Sequence, residues 1–183
     1  MDAHQNGVEY GKFYDANLES YLIDEVGKRF QDSGEIEALD FCLILSWKSV
    51  RAVGYHKKRL RERAHGTLTC AVGRIAKELH DAADSKNRLR LLMQNWGFRL
   101  PTATAILTIL FPEHFTVYDR RVCAELHDFT KLQDHRFTNR LWEQYLAFKA
   151  RVEEATPPQL SLRDKDRYLW GKSFYEQVAR DCH

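Results

Sequence analysis

Few helices can be apolar on nearly every side and stay in solution, and the run Ala103-Thr104-Ala105-Ile106-Leu107-Thr108-Ile109-Leu110 is such a helix. It has to be surrounded, so the rest of the chain is read around it. Its borders are marked. Pro101 suits a first helical turn, where its missing N–H would have lacked a partner anyway. At the far end Phe111-Pro112-Glu113-His114-Phe115 stops the helix. Upstream, Arg88-Leu89-Arg90-Leu91-Leu92-Met93 reads as the end of an earlier helix, halted at Gly97 where a left-handed residue is needed. Two helices joined by a tight hairpin result, over about residues 86–110. Such a turn leaves loop and first-turn N–H groups pointing outward, where a phosphate can meet them. After Pro112, Thr116-Val117-Tyr118 is expected to run extended, and Asp119 to open the next helix. That Asp is either an ordinary N-cap, worth about 1 kcal/mol, or a working carboxylate.

A chain of 183 residues, 44% hydrophobic and 30% charged, fits one globular domain over 1–183 rather than a disordered polymer. It has no stretch of about 18 apolar residues and no basic or apolar leader at Met1-Asp2-Ala3-His4, so the expectation is a cytoplasmic protein without a membrane partner. Cys42, Cys70, Cys123 and Cys182 are 28, 53 and 59 residues apart, with no CxxC pair. That spacing predicts reduced thiols and neither a zinc site nor an iron-sulfur cluster, since both need grouped ligands.

The net charge of +2 conceals an uneven distribution. From Trp47 to Arg99 there are 13 Lys and Arg against 4 Asp and Glu, whereas residues 1–46 hold 3 bases and 10 acids. A basic middle that ends in the hairpin is the expected footprint of a phosphate-binding face. Within it, His56-Lys57-Lys58-Arg59-Leu60-Arg61-Glu62-Arg63 is open to two readings, a solvated helix face or phosphate contact by Lys57, Lys58 and Arg59.

No strand-like alternation persists anywhere, and helical spacing recurs throughout. Tyr10, Phe13 and Tyr14 could pin an extended lead-in to the body. Asp15 or Asn17 would then cap a helix carrying Leu18, Tyr21, Leu22, Val26 and Phe30, which ends at Gly34. An apolar helix from Ile36 to Leu45 ends at Trp47-Lys48-Ser49. Another runs from about Thr67 to Ala82, and Asp84-Ser85 caps the helix entering the hairpin. Past a polar loop over residues 128–136, a helix carries Leu141, Tyr145, Phe148 and Val152 up to Pro157-Pro158. Ser161 caps a last helix with Tyr168, Leu169, Phe174, Tyr175 and Val178 on its apolar face. The chain therefore reads as about eight helices in a compact all-α fold.

Gly97-Phe98-Arg99-Leu100-Pro101-Thr102-Ala103, followed by Thr116-Val117-Tyr118-Asp119-Arg120-Arg121-Val122, resembles the helix-hairpin-helix (HhH-GPD) DNA glycosylase superfamily, to which the 8-oxoguanine type belongs. There a Gly-Val-Gly-x-x-Thr-Ala hairpin precedes a Pro-Val-Asp-type segment bearing the catalytic Asp. Gly97, Thr102, Ala103, Asp119 and Val122 match; Arg99 stands in place of the second glycine, and Pro101 in place of the Lys that forms a Schiff base in bifunctional members. The resemblance covers about a sixth of the chain. It implies a cleft between a lobe of terminal helices and a lobe from the middle of the chain. It also implies a monofunctional enzyme acting as a monomer on double-stranded DNA, in base-excision repair or against modified phage DNA.

That chemistry sets its own requirements. Breaking an N-glycosidic bond builds positive charge on the sugar, and a carboxylate beside it stabilises that charge and orients water; Asp119 is the candidate. The base must first leave the duplex, which calls for stacking partners, for which Trp47, Trp96, Tyr118 and Phe98 are candidates. Gly97, Phe98, Arg99, Pro101 and Thr102 would present the hairpin to DNA, with Arg120 and Arg121 beside the carboxylate. Lys48 has two readings, a Schiff-base nucleophile or a cation at the C-terminus of its helix. His114 and His127 flank the Asp segment as possible proton relays. Three rival functions remain open: a DNA-binding module without chemistry, a glycosylase-lyase that uses Lys48, and a helical protein-interaction domain whose basic middle is only a solvated surface.

Overall fold

A computed structural model describes residues 17–182, so Tyr10, Phe13, Tyr14 and Asp15 lie outside the described residues. Those described form helices, turns and loops, with no strand among them. α1 (Asn17–Tyr21), a π-helical turn (Leu22–Gly27) and α2 (Lys28–Ser33) follow one another without a break and end at Gly34, whose φ of 72° supplies the left-handed stop. Next come α3 (Ala38–Ser49), a 3-10 turn (Val50–Ala52), α4 (Val53–Ala64) and α5 (Leu68–Asp81). α6 (Ser85–Arg90) is capped by Asp84 and passes into a π-helical turn (Leu91–Asn95). Beyond the hairpin lie α7 (Leu100–Leu110), α8 (Arg120–Leu126), a 3-10 turn (Leu132–Asp134), α9 (Asn139–Glu154) and α10 (Leu162–Asp181). α3 begins two residues later than expected, because Ile36 buries its side chain from an extended backbone ahead of the helix.

α7 occupies the centre. Leu100 and every residue from Ala103 to Leu110 are buried, as an all-round apolar helix requires. The first helix crosses it at Gly27, where an added Cβ would stand 2.5 Å from the carbonyl oxygen of Ile109. Only a glycine allows that backbone approach. Phe30 meets Phe111 edge-on at 5.5 Å and continues the same contact.

Thr104 and Thr108 are the polar exceptions on α7. The hydroxyl of Thr104 donates to Leu100 O at 2.8 Å within its own helix and accepts the backbone N–H of Tyr118 at 3.0 Å. That second bond ties α7 to the extended segment Phe115–Asp119, which is buried outside any sheet and must find partners for its amides elsewhere. Tyr145 Oη takes the N–H of Thr116 at 3.0 Å and donates to its carbonyl at 2.9 Å. Asp166 Oδ2 takes the N–H of Val117 at 3.0 Å and the hydroxyl of Thr116 at 3.2 Å. Three side chains from three helices therefore fix three consecutive amides.

Asp166 is held in turn. Arg163, one turn earlier on α10, bonds Asp166 and also grips Glu19 of α1, with Nη2 to Oε2 at 2.6 Å. Glu19 is 0%, Asp166 2% and Arg163 6% exposed, so this charged cluster lies in the interior and joins the first and last described helices. Desolvation is offset only because each ion has several partners; removing one would leave a buried charge uncompensated.

Candidate active site

Asp119 follows directly on the clamped segment. Its backbone is extended (φ −130°, ψ 142°), and its Oδ1 accepts the N–H of Arg121 at 2.8 Å, the bond of an N-cap to α8. The other carboxylate oxygen meets Lys48 Nζ at 2.5 Å across 71 residues of sequence. Both side chains are mostly buried yet keep an open edge, 15% for Lys48 and 22% for Asp119. Burial works to raise the Asp119 pKa, but the charge and hydrogen bond of Lys48, with the Arg121 N–H, hold its carboxyl below the usual carboxylate range. The group is an anion at neutral pH, fixed from two sides.

Lys48 is in the last turn of α3, and the break after it directs the chain away: Ser49 is extended (φ −167°, ψ 101°) before the 3-10 turn starts. Lys48 and Asp119 share a cavity of about 380 Å³ with Trp47, Trp170, Arg163 and Asp166, with Leu18, Ser46 and Val117 completing its wall. Its size is in the range of small-molecule sites, ~300–1,000 Å³. The Arg163 guanidinium stands 5.1 Å from the centre of the Trp47 ring. Trp170 stacks on Phe174 at 5.6 Å, and Arg121 lies over both rings. Chemically, the cavity offers an ionised carboxylate, an amine in contact with it, and two indoles.

Trp47, Lys48 and Asp119 thus come together from the sequence candidates, while Trp96 and Tyr118 sit elsewhere. Trp96 is 4% exposed and donates its indole N–H to Glu78 at 2.8 Å, with Arg74 over its ring. Tyr118 is 1% exposed, packs on Phe148 at 5.3 Å and donates its hydroxyl to Phe129 O at 2.5 Å. Both side chains are core; for Tyr118 the cause is alternation in the extended segment, which turns it to the interior when Asp119 turns to the cavity. Arg120 is exposed, and Arg121 is half-buried against Trp170. His114 and His127 are exposed, the latter as the left-handed stop of α8 at φ 55°.

The hairpin forms a second locus. Gly97 has φ 71°, and Phe98 N–H reaches back to Leu92 O at 2.9 Å, closing the preceding helix. Phe98 is 3% exposed and anchors the turn against Phe41 and His56. Arg99 is exposed, and Pro101 and Thr102 occupy the half-buried first turn of α7. The amides of Gly97, Arg99 and Leu100 have no acceptor among the described residues. Arg59 and Arg63 of α4 hold the loop by its carbonyls, Arg59 Nη1 to Gly97 O at 3.2 Å and Arg63 Nη1 to Asn95 O. Lys58 is exposed on the outer side of α4 and pairs weakly with Glu62 at 4.0 Å, whereas Lys57 is half-buried, near enough to Cys42 of α3 for its charge to act on that thiol.

Arg163, Asp166 and Trp170 were not among the sequence candidates. Arg163 and Asp166 belong to a run of five consecutive charged residues, Arg163 to Arg167, a pattern more usual on a solvated helix face. A usable signal was present, since Leu162, Asp166 and Leu169 fall on one helical face at spacings of four and three. A carboxylate between two inward leucines implies a buried acid with a partner.

Among the described residues no helix is long and apolar enough to cross a membrane, and the described cysteines are all free. The chain matches no family model, no curated protein and no solved structure.

Proposed function

We propose that this protein is a DNA glycosylase of the helix-hairpin-helix type, acting on double-stranded DNA that carries a damaged or modified base. One observation carries the reading: an ionised Asp119, held by the Arg121 N–H and by Lys48, opens onto a cavity with two indoles, and the segment that carries it is tied at Tyr118 to Thr104, one turn into the helix that follows the cation-rich hairpin. The hairpin amides and Arg99 would bind the phosphate backbone. The extruded base would enter the cavity and stack on Trp47 or Trp170, which offsets part of the few kcal/mol that flipping costs. As the glycosidic bond lengthens, positive charge develops on the sugar, and the Asp119 carboxylate stabilises it and orients the attacking water. Lys48 keeps that carboxylate in place. The products are a free base and an abasic site.

The contact between Lys48 and Asp119 supports a second reading. A lysine amine beside the carboxylate would give its proton to Asp119 and attack the sugar at C1′. The C1′–N bond to the base breaks and the base leaves with a proton. Opening of the C1′–O4′ bond then gives the Schiff base from which a lyase step can follow, which makes the enzyme a glycosylase-lyase.

The test is incubation of wild type and Asp119→Asn with duplexes containing oxidised, alkylated, deaminated or phage-hypermodified bases, followed by hot alkali. Strand breaks with wild type alone, on one duplex, support the proposal and identify the base. Equal cleavage by both proteins rejects Asp119 as the working carboxylate. Borohydride trapping on abasic DNA, lost in Lys48→Ala, selects the lyase reading.

A further inference from the structure

Beside the hairpin, and apart from the cavity of Asp119, is a cleft of about 640 Å³ between the loop Gly97–Arg99 and residues 133–137. Arg59 and Arg63 form one side. They lie one turn apart on α4 and bend toward the same loop, each bonded to one of its carbonyls. Their Nη2 atoms converge, both 2.5 Å from the point where a Cβ on Gly97 would sit. Two cations are thus held side by side, which is unfavourable unless something negative offsets it. Neither has a carboxylate within 4.0 Å among the described residues, and the neighbouring Glu62 faces Lys58 instead.

The remaining walls add charge of the same sign. Arg99 comes from the hairpin and Arg136 from the opposite loop, where His135 adds a polar ring to the wall. One acid is present, Asp134, and it lies 3.8 Å from Arg99 rather than between the arginine pair. The floor is apolar, with Phe98 3% and Phe137 7% exposed. A concave, low-dielectric surface of this kind concentrates positive potential. Each guanidinium carries five N–H donors in a planar fork, and the carbonyls of Gly97 and Asn95 with the Tyr55 hydroxyl use only part of them.

We infer that this cleft binds a phosphate group through Arg59, Arg63 and Arg136, and that the phosphate is a backbone phosphodiester of the bound duplex. The identity of the donor as DNA rests on the glycosylase reading; the phosphate chemistry rests on the cleft alone. Two non-bridging oxygens of a phosphodiester match the fork of a guanidinium, and the arginine pair would receive the missing counter-charge. The site places a DNA contact on the 133–137 loop, outside the hairpin and outside the run Lys57–Arg59.

The experiment measures the salt dependence of binding to a fluorescent duplex containing a tetrahydrofuran abasic analogue, alongside calorimetric titration with inorganic pyrophosphate. Arg136→Gln is the main variant, since the Arg136 side chain is exposed and supports no other element; Arg63→Gln is the second, with thermal unfolding recorded for both. The inference expects Arg136→Gln to weaken duplex binding about 3- to 10-fold and to reduce the slope of log K against log salt by about 0.9, the value for one lost phosphate contact, with the unfolding temperature kept. Duplex binding with unchanged affinity and slope in both variants overturns it. Pyrophosphate binding that both variants lose, without any duplex binding, supports a phosphate site but counts against DNA as its source and against the glycosylase reading. Binding of neither probe by wild type overturns the inference outright.

Discussion

The two segments that flank α7 in sequence are secured in opposite ways. At its start, the hairpin is held from outside by two guanidiniums that grip loop carbonyls, leaving amides without acceptors among the described residues and charge facing a cleft. Past its end, Thr116, Val117 and Tyr118 are held from inside by a phenol, a buried carboxylate and a threonine hydroxyl. The first arrangement leaves a surface whose polar groups are available to a ligand. The second pairs all three N–H groups and passes its rigidity to Asp119, the next residue. Catalytic groups need fixed positions, whereas backbone-binding loops need exposed donors, and the difference between the two segments is the one the proposed function calls for.

The largest effect is expected where the inner clamp is broken at its charge. Arg163→Met leaves Glu19 and Asp166 buried without their common cation, and should cost about 3–5 kcal/mol, measured as a shift of the urea midpoint. Tyr145→Phe comes next: it removes the partner of both the N–H and the C=O of Thr116, a loss of about 1–3 kcal/mol in the same assay. Gly97→Ala attacks the outer segment, where φ of 71° and the crowded arginines make any side chain unfavourable; about 1–2 kcal/mol is expected, together with weaker DNA binding. If Gly97→Ala proves as costly as Arg163→Met, the contrast between the two segments fails.

The smallest effect is the most specific to the candidate carboxylate. Because the folded-state pKa of Asp119 is depressed, the unfolded chain binds more protons near pH 4. Its contribution is therefore fully present above the unfolded value of about 3.9 and is lost as pH falls through the folded one. Asp166 acts in the opposite direction, since burial outweighs Arg163 and the Val117 N–H and raises its pKa. Comparing wild type with Asp119→Asn isolates the first from the second. Between pH 7 and pH 3, urea stability should fall further in wild type than in the variant. Equal falls would mean that Lys48 does not stabilise the carboxylate.

What the sequence made legible was mostly local. Thr67, Asp84, Asp119 and Ser161 cap the helices they precede, and Gly97 and Gly34 take the left-handed stops, because each depends on two to four neighbouring residues. The central place of α7 was equally readable from its all-round apolar surface. The meeting of Lys48 with Asp119 was not, and neither was the clamp: Tyr145, Asp166 and Thr104 reach the Asp segment across 29, 49 and 14 residues. Periodicity identifies which face of a helix points inward but not which other helix it meets. Trp96 and Tyr118 show the same limit, since an aromatic residue next to a functional segment has the same spacing whether it lines a cavity or fills the core.

The account depends most on a division of labour, with DNA held at the hairpin and chemistry performed at Asp119. The most direct test is to measure, on whichever modified duplex wild type cuts, both the dissociation constant and the single-turnover rate of base release for Asp119→Asn. The account predicts affinity within about threefold of wild type and a base-release rate lowered at least 100-fold, in keeping with the loss of an electrostatic stabiliser of the transition state. Base release at the wild-type rate, or affinity and rate lost together, would contradict it.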